Sequence, residues 1–179
     1  MLKEIYEKEI KEKLTKQFDY KNPMSVPKLS KVTINVGFGK VAADQKAVEA
    51  IQTDLVKITG QKPSLRAARA AIASFKIRKG QLIGAKVTLR GKRMWDFVEK
   101  MTRIVLPRVR DFRGIAASSF DENGNYTLGF KEKTVFPEIE YTKGDSQSGM
   151  EITLTTTTKN KEEAMSLLEN LGFPFRKVS

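Results

Sequence analysis

Residues 55–95 read LVKITGQKPSLRAARAAIASFKIRKGQLIGAKVTLRGKRMW. Eleven cations lie in this stretch, Lys57, Lys62, Arg66, Arg69, Lys76, Arg78, Lys79, Lys86, Arg90, Lys92 and Arg93, with no Asp or Glu among them. Salt screens exposed charges only beyond about 8–10 Å, so cations this dense repel one another unless an anion lies against them. A phosphate backbone is the simplest such anion. The stretch also carries Leu65, Ile72, Phe75, Ile77, Leu82, Ile83, Val87 and Leu89, enough apolar residues to hold a fold. It is therefore expected to be a folded basic surface that presents its charges in fixed geometry.

The charge is local. Residues 55–113 carry 16 cations against 3 anions, whereas residues 1–54 are net +2 and residues 114–179 net −3. A binding face fits this distribution better than a generally sticky protein. The 179 residues suffice for one domain. Cys and His are both absent. Disulfides, thiolate or imidazole zinc sites and Ser-His triads are thereby excluded. The first residues, MLKEIYEKEIKEKL, are charged throughout, unlike a signal peptide. No apolar run approaches the ~20 residues of a membrane span. A soluble cytoplasmic protein with no cofactor and no small-molecule substrate is expected.

Working outward, residues 2–18 have the spacing of an amphipathic helix, with Leu2, Ile5, Tyr6, Ile10, Leu14 and Phe18 on one side. Glu4–Lys8, Glu7–Lys11, Glu9–Lys13 and Glu12–Lys16 stand at i, i+4. Two X-Pro steps, at Pro23 and Pro27, make a connector. From Ser30 to Phe38 the chain alternates as a half-buried strand, with Val32, Ile34, Val36 and Phe38 inward and Lys31, Thr33 and Asn35 outward. Gly37-Phe38-Gly39 is weak as a dinucleotide motif, because the third glycine is missing. Asp44 is placed to cap a helix that runs to Thr59 and stops at Gly60.

Pro63 opens a short extended piece, and residues 67–73 are helical or irregular. Lys76 to Gln81 form an exposed loop tip. A second strand spans Gly84 to Gly91, with Lys86, Thr88 and Arg90 outward. A helix from Met94 to Val105 is stopped by Pro107. LPRVRDFRG, residues 106–114, adds Arg108, Arg110 and Arg113, and DENG at 121–124 signals a turn. Strands are expected at residues 126–130 and 150–157, an extended break at 136–139, and a polar loop at 142–149. Asn160 and Glu163 form a capping box for the last helix, which ends at Gly172 and Pro174. The strands alternate instead of running continuously apolar. That predicts an α+β fold, with a largely antiparallel sheet, helices packed on one face and the other face polar.

The outward residues Lys31, Thr33, Asn35, Lys86, Thr88 and Arg90 combine phosphate-holding cations with neutral hydrogen bonders that reach 2′-hydroxyls and base edges. An ordinary solvated sheet face would also be polar; the adjacent cations favour nucleic acid. RNA is preferred to DNA, since no DNA-binding helix motif is present and a polar sheet suits the wide minor groove of an A-form helix. These strands lack exposed aromatics, so the face is expected to recognise shape and backbone. An enzyme would have to use a pair such as Glu138 and Glu140, more simply a solvated edge, and no P-loop is visible; no catalysis is expected.

Several long segments are familiar together. VPKLSKVTINVG (26–37), LVKITGQKP (55–63), IASFKIRKGQLIGAKVTLRG (72–91), LPRVRDFRG (106–114) and GNYTLGFKEKTVFPEI (124–139) resemble the bacterial large-subunit ribosomal protein family that binds 5S rRNA. The resemblance covers essentially the whole chain and implies a single domain over 1–179, with a protruding basic loop at about 73–83. It implies a structural role in the 50S central protuberance, attaching 5S rRNA there through Asn35, Gln61 and Thr88. Lys31, Thr33, Lys62, Arg66, Arg69, Lys86 and Arg90 are expected to join them. The loop residues Lys76, Arg78 and Lys79 would contact P-site tRNA. 23S rRNA, neighbouring central-protuberance proteins and a small-subunit head protein are the other implied partners. KPSLRAARAAIA departs from the family pattern: Arg66 stands where Thr is usual, and Ala70 and Ala71 lack a cation and a hydroxyl. A free-standing RNA chaperone or translational repressor would use the same surface.

Overall fold

The computed structural model describes residues 1–42, 44–75, 77–110, 112–139 and 149–176. Its fold is α+β, with a five-stranded antiparallel sheet and helices. The strands are β1 (Leu29–Gly37), β2 (Ser64–Ala67), β3 (Leu82–Leu89), β4 (Tyr126–Phe130) and β5 (Met150–Thr156), in the order β2-β3-β1-β5-β4. Contacts divide the chain into two compact units, residues 1–32, 89–128 and 153–179 in one, and 33–88 and 129–152 in the other.

In the first unit the N-terminal helix runs through Leu2–Ile5, Tyr6–Ile10 and Lys11–Phe18. Leu2, Tyr6, Ile10 and Leu14 are buried, as their spacing predicts. The middle segment is a wide turn of the π type. It breaks the i, i+4 spacing, and of the four anticipated pairs only Glu12–Lys16 is among the ion pairs of the described residues, at 2.8 Å. The helix packs on residues 91–100 and 161–170. Tyr6 packs against Trp95 with tilted rings, centroids 5.2 Å apart, and its hydroxyl donates to Pro27 O at 2.8 Å. Burial, with Glu7 nearby, pushes that hydroxyl up to about 12.

The helix expected from Met94 to Val105 begins earlier, at Gly91, and runs through Gly91–Lys100, Met101–Val105 and Leu106–Arg108. Pro107 does not stop it at once. A second wide turn, Met101–Val105, precedes the proline, and the helix ends one residue after it, at Arg108. Asn160 caps the last helix, accepting from Glu162 N–H, but the reciprocal half of the capping box is replaced: Asn160 N–H donates to Thr158 Oγ1 at 3.1 Å, and Thr158 donates to Glu163. The end of the described chain is fixed by a parallel bridge between Ile115 and Phe175.

In the second unit Asp44 accepts from the N–H groups of Lys46 and Ala47 and starts the helix Gln45–Thr59; Gly60 ends it in the left-handed region at φ 65°. Val48, Ile51, Leu55 and Ile58 are its buried stripe. Ile34, Val36, Ala85, Val87, Phe130, Met150 and Ile152 are buried strand residues of the same unit. Lys133 and Asp54 tie the turn Lys133–Val135 to that helix through an ion pair of 2.5 Å.

Candidate nucleic-acid interface

The pairing of β2 with β3 sets Ser64 against Lys86, Leu65 against Ala85 and Arg66 against Gly84. Directly opposed residues share a face of the sheet. Ser64 and Arg66 therefore lie on the side of Lys86 and Thr88, away from buried Ala85 and Val87. Across β3, Phe38 N–H donates to Ile83 O at 2.9 Å. An antiparallel ladder continued from that bond without a bulge opposes Asn35 to Lys86 and Thr33 to Thr88. Burial agrees: Ile34 and Val36 are closed off, Asn35 is exposed, and Thr33, Lys86 and Thr88 are half-buried. The outward residues Thr33, Asn35, Ser64, Arg66, Lys86 and Thr88 thus occupy one face of three neighbouring strands. At Gly84 a Cβ would come 3.3 Å from Val36 O, so the two strands close there only with glycine or a shift of backbone.

Gln61 reaches this face from the end of the helix. Its backbone N–H donates to Thr59 Oγ1 at 3.2 Å, and Thr59 donates to Leu55 O at 2.6 Å. With the backbone held, Gln61 Nε2 donates to Thr88 O at 3.3 Å. The structure thereby brings together two residues that the family resemblance singled out separately. Lys62 follows, exposed, before buried Pro63. Lys31, half-buried on β1, and Arg90, exposed one residue past β3, belong to the first unit.

The basic loop has a closed base. Ala68 N–H donates to Gln81 O at 2.8 Å and Gly80 N–H to Ala68 O at 2.9 Å; farther out, Ile72 and Ile77 exchange bonds of 2.9 and 3.2 Å. Gln81 Oε1 accepts from Arg78 N–H at 3.0 Å. Arg69, Arg78 and Lys79 are exposed on it, and Lys76 lies outside the described residues. Arg69 stands beyond the end of β2 and so belongs to the loop. One expectation fails here. Ile72, Phe75 and Leu82, counted among the residues that hold the fold, are 45 %, 71 % and 37 % exposed. Ile72 and Phe75 lie on the loop beyond the last sheet pairings, whereas Leu82 begins β3, opposed to Ala67 at the end of the short strand β2.

In the first unit Arg108, Arg110 and Arg113 are all exposed, and Arg176 Nε donates to Gly114 O at 3.2 Å. Of the carboxylate pair considered for catalysis, Glu138 is half-buried and Glu140 lies outside the described residues. Sequence reasoning missed β2 as a strand and missed the Gln61 to Thr88 contact. Pro63 followed by a short extended piece was the available signal for β2; nothing local marks the contact.

A sheet that turns cations and neutral hydrogen bonders to one side, beside a closed basic loop, fits the class of α+β nucleic-acid-binding proteins. Comparison with known proteins narrows the class. Residues 22–78 match the family model described as Ribosomal protein L5, and residues 82–175 match the model for the C-terminus of the same ribosomal protein family. Large ribosomal subunit protein uL5 of Desulforamulus reducens is 54% identical over 178 residues, covering 99% of this chain and 98% of that protein. The protein of the same name from Thermoanaerobacter is 54% identical over 176 residues, 98% of each chain, and that from Marinomonas 49% over 176, again 98% of each. The chain belongs to the ribosomal protein L5 family. That is a family of structural proteins, not of enzymes.

Proposed function

We propose that this chain is a cytoplasmic structural constituent of the large ribosomal subunit that binds 5S rRNA, as a single docking protein, through the polar sheet face. Asn35, Thr88 and Gln61 supply hydrogen bonds to sugar and base edges. Thr33 supports them, and Lys31, Lys62, Arg66, Arg69, Lys86 and Arg90 hold phosphates. The observation that carries the proposal is the Gln61 to Thr88 bond on a face that also bears Asn35 and Lys86. It fixes neutral hydrogen bonders among cations, which a merely solvated face would not need. The basic loop, with Lys76, Arg78 and Lys79, is assigned to P-site tRNA. Arg108, Arg110 and Arg113 are exposed cations for a further rRNA contact, to 23S rRNA. A protein of the small-subunit head and neighbouring proteins of the central protuberance complete the partners.

Filter binding of the purified chain to 5S rRNA and to an unrelated RNA duplex of equal length, at about 0.15 M salt, tests this. Tight binding to 5S rRNA and weak binding to the duplex is expected, and Asn35→Ala with Thr88→Ala should erode the difference by about fivefold per lost hydrogen bond. Arg78→Ala should leave 5S affinity nearly unchanged. Equal affinity for both RNAs would refute specific docking.

A further inference from the structure

Phe75 is the one exposed aromatic among the described residues; every other described ring is buried or half-buried. It ends the short turn Ala73–Phe75, inside the Ile72–Ile77 bridge that closes the outer loop. Bonds at Ala68, Gly80 and Gln81 hold the base of the loop, so the ring is displayed by a structured turn. Exposed Ile72 lies beside it in sequence, and exposed Arg69, Arg78 and Lys79 share the loop. Residues 68–81 contain no acid. An aromatic face amid cations fits a ligand with both a flat apolar surface and negative charge. An unpaired nucleobase with its flanking phosphates is such a ligand.

We propose that Phe75 is a nucleobase-stacking residue: the loop presents its ring to an unpaired base of a structured RNA, while Arg78 and Lys79 take the adjoining phosphates. The inference rests on RNA binding by this chain and adds to it. The sheet face has no exposed aromatic and reads backbone and shape; the loop contributes a base contact that the sheet cannot make. Because every base has a π-face, the contact is tolerant of sequence and selects for single-strandedness. An anionic membrane surface shares the same charge, and membership of a ribosomal family decides for RNA.

The test uses the full chain and RNA hairpins carrying 2-aminopurine, either unpaired in the loop or paired within the stem. Phe75→Ala, Phe75→Leu and Phe75→Tyr are compared. Being so exposed, the position can be changed without touching the core, and unchanged thermal melts check this. Wild type and Phe75→Tyr should quench the unpaired fluorophore and bind that hairpin about tenfold more tightly than Phe75→Ala. Phe75→Leu should behave as Ala does, and all four should bind the paired hairpin alike. Wild-type behaviour of Phe75→Leu would reduce the contact to apolar burial and overturn the proposal. So would Phe75-dependent binding to vesicles of phosphatidylcholine and phosphatidylglycerol without an effect on RNA. If paired RNA still binds and Lys86→Ala weakens it, while all Phe75 forms are equal, stacking fails and the sheet-face proposal stands. If the chain binds neither hairpin, both fail.

Discussion

Gly124 sits at φ 69°, and a Cβ built there would lie 2.8 Å from Thr158 O. Asp121 organises the turn around it, accepting from the N–H groups of Asn123 and Asn125, while Thr156 donates to Gly124 O at 2.9 Å. Gly124→Ala therefore combines a left-handed backbone with a collision against a carbonyl, and should destabilise the fold by about 1–3 kcal/mol in urea unfolding. The turn was legible in DENG, because Asp and Gly at these offsets act through neighbouring backbone. The approach of Thr158 was not, since it comes from a distant segment. The site divides the same way. Asn35 and Thr88 were legible as outward residues from alternation alone, whereas Gln61 required the family resemblance. Its bond to Thr88 spans 27 residues and left no local trace. Phe75 misled for a related reason: an apolar side chain in a folded stretch is expected inside, and only the path of the loop shows that no core lies within reach.

Among the elements, the helices and long strands were legible because each buries one face at a regular period. The exceptions are those without such a face. Strand β2 has four residues, of which only Leu65 is even half-buried, and its existence depends on pairing with β3. The wide turns at Tyr6–Ile10 and Met101–Val105 keep their helices going and change little in the apolar pattern. The junction of the Gln45–Thr59 helix with the Lys133–Val135 turn has no period at all; it includes the Lys133–Asp54 ion pair. Lys133 is 8% and Asp54 16% exposed in their side chains. Asp54→Ala removes the carboxylate from a largely buried pair and should cost about 3 kcal/mol. Asp54→Ala combined with Lys133→Met should cost less, as measured by a double-mutant unfolding cycle. A single variant no worse than the double would show that the pair contributes little.

For the molecule as a whole, the excess of cations in residues 55–113 sets how binding responds to salt. If roughly six phosphates are neutralised, affinity for 5S rRNA should fall about a thousandfold between about 50 and 200 mM salt. A titration with a slope near that of two or three contacts would mean that recognition is mostly neutral. Removing the loop cations, as Arg78→Ala with Lys79→Ala, should leave this slope on 5S rRNA unaltered if the loop serves another RNA.

The division of the chain carries one more consequence, for the order in which the protein is made. The first unit joins residues 1–32 to residues 153–176, while the second lies wholly between them. Translation runs from the amino end, so every residue of the second unit has been polymerised before the last partners of the opening helix exist. Leu2 and Tyr6 find their partners in 91–100 once that helix is made, but Lys11–Phe18, with Leu14, waits until 161–170 arrives. A stall late in synthesis therefore leaves a nascent chain with Leu14 unsheltered and its cation-rich residues 55–113 already made.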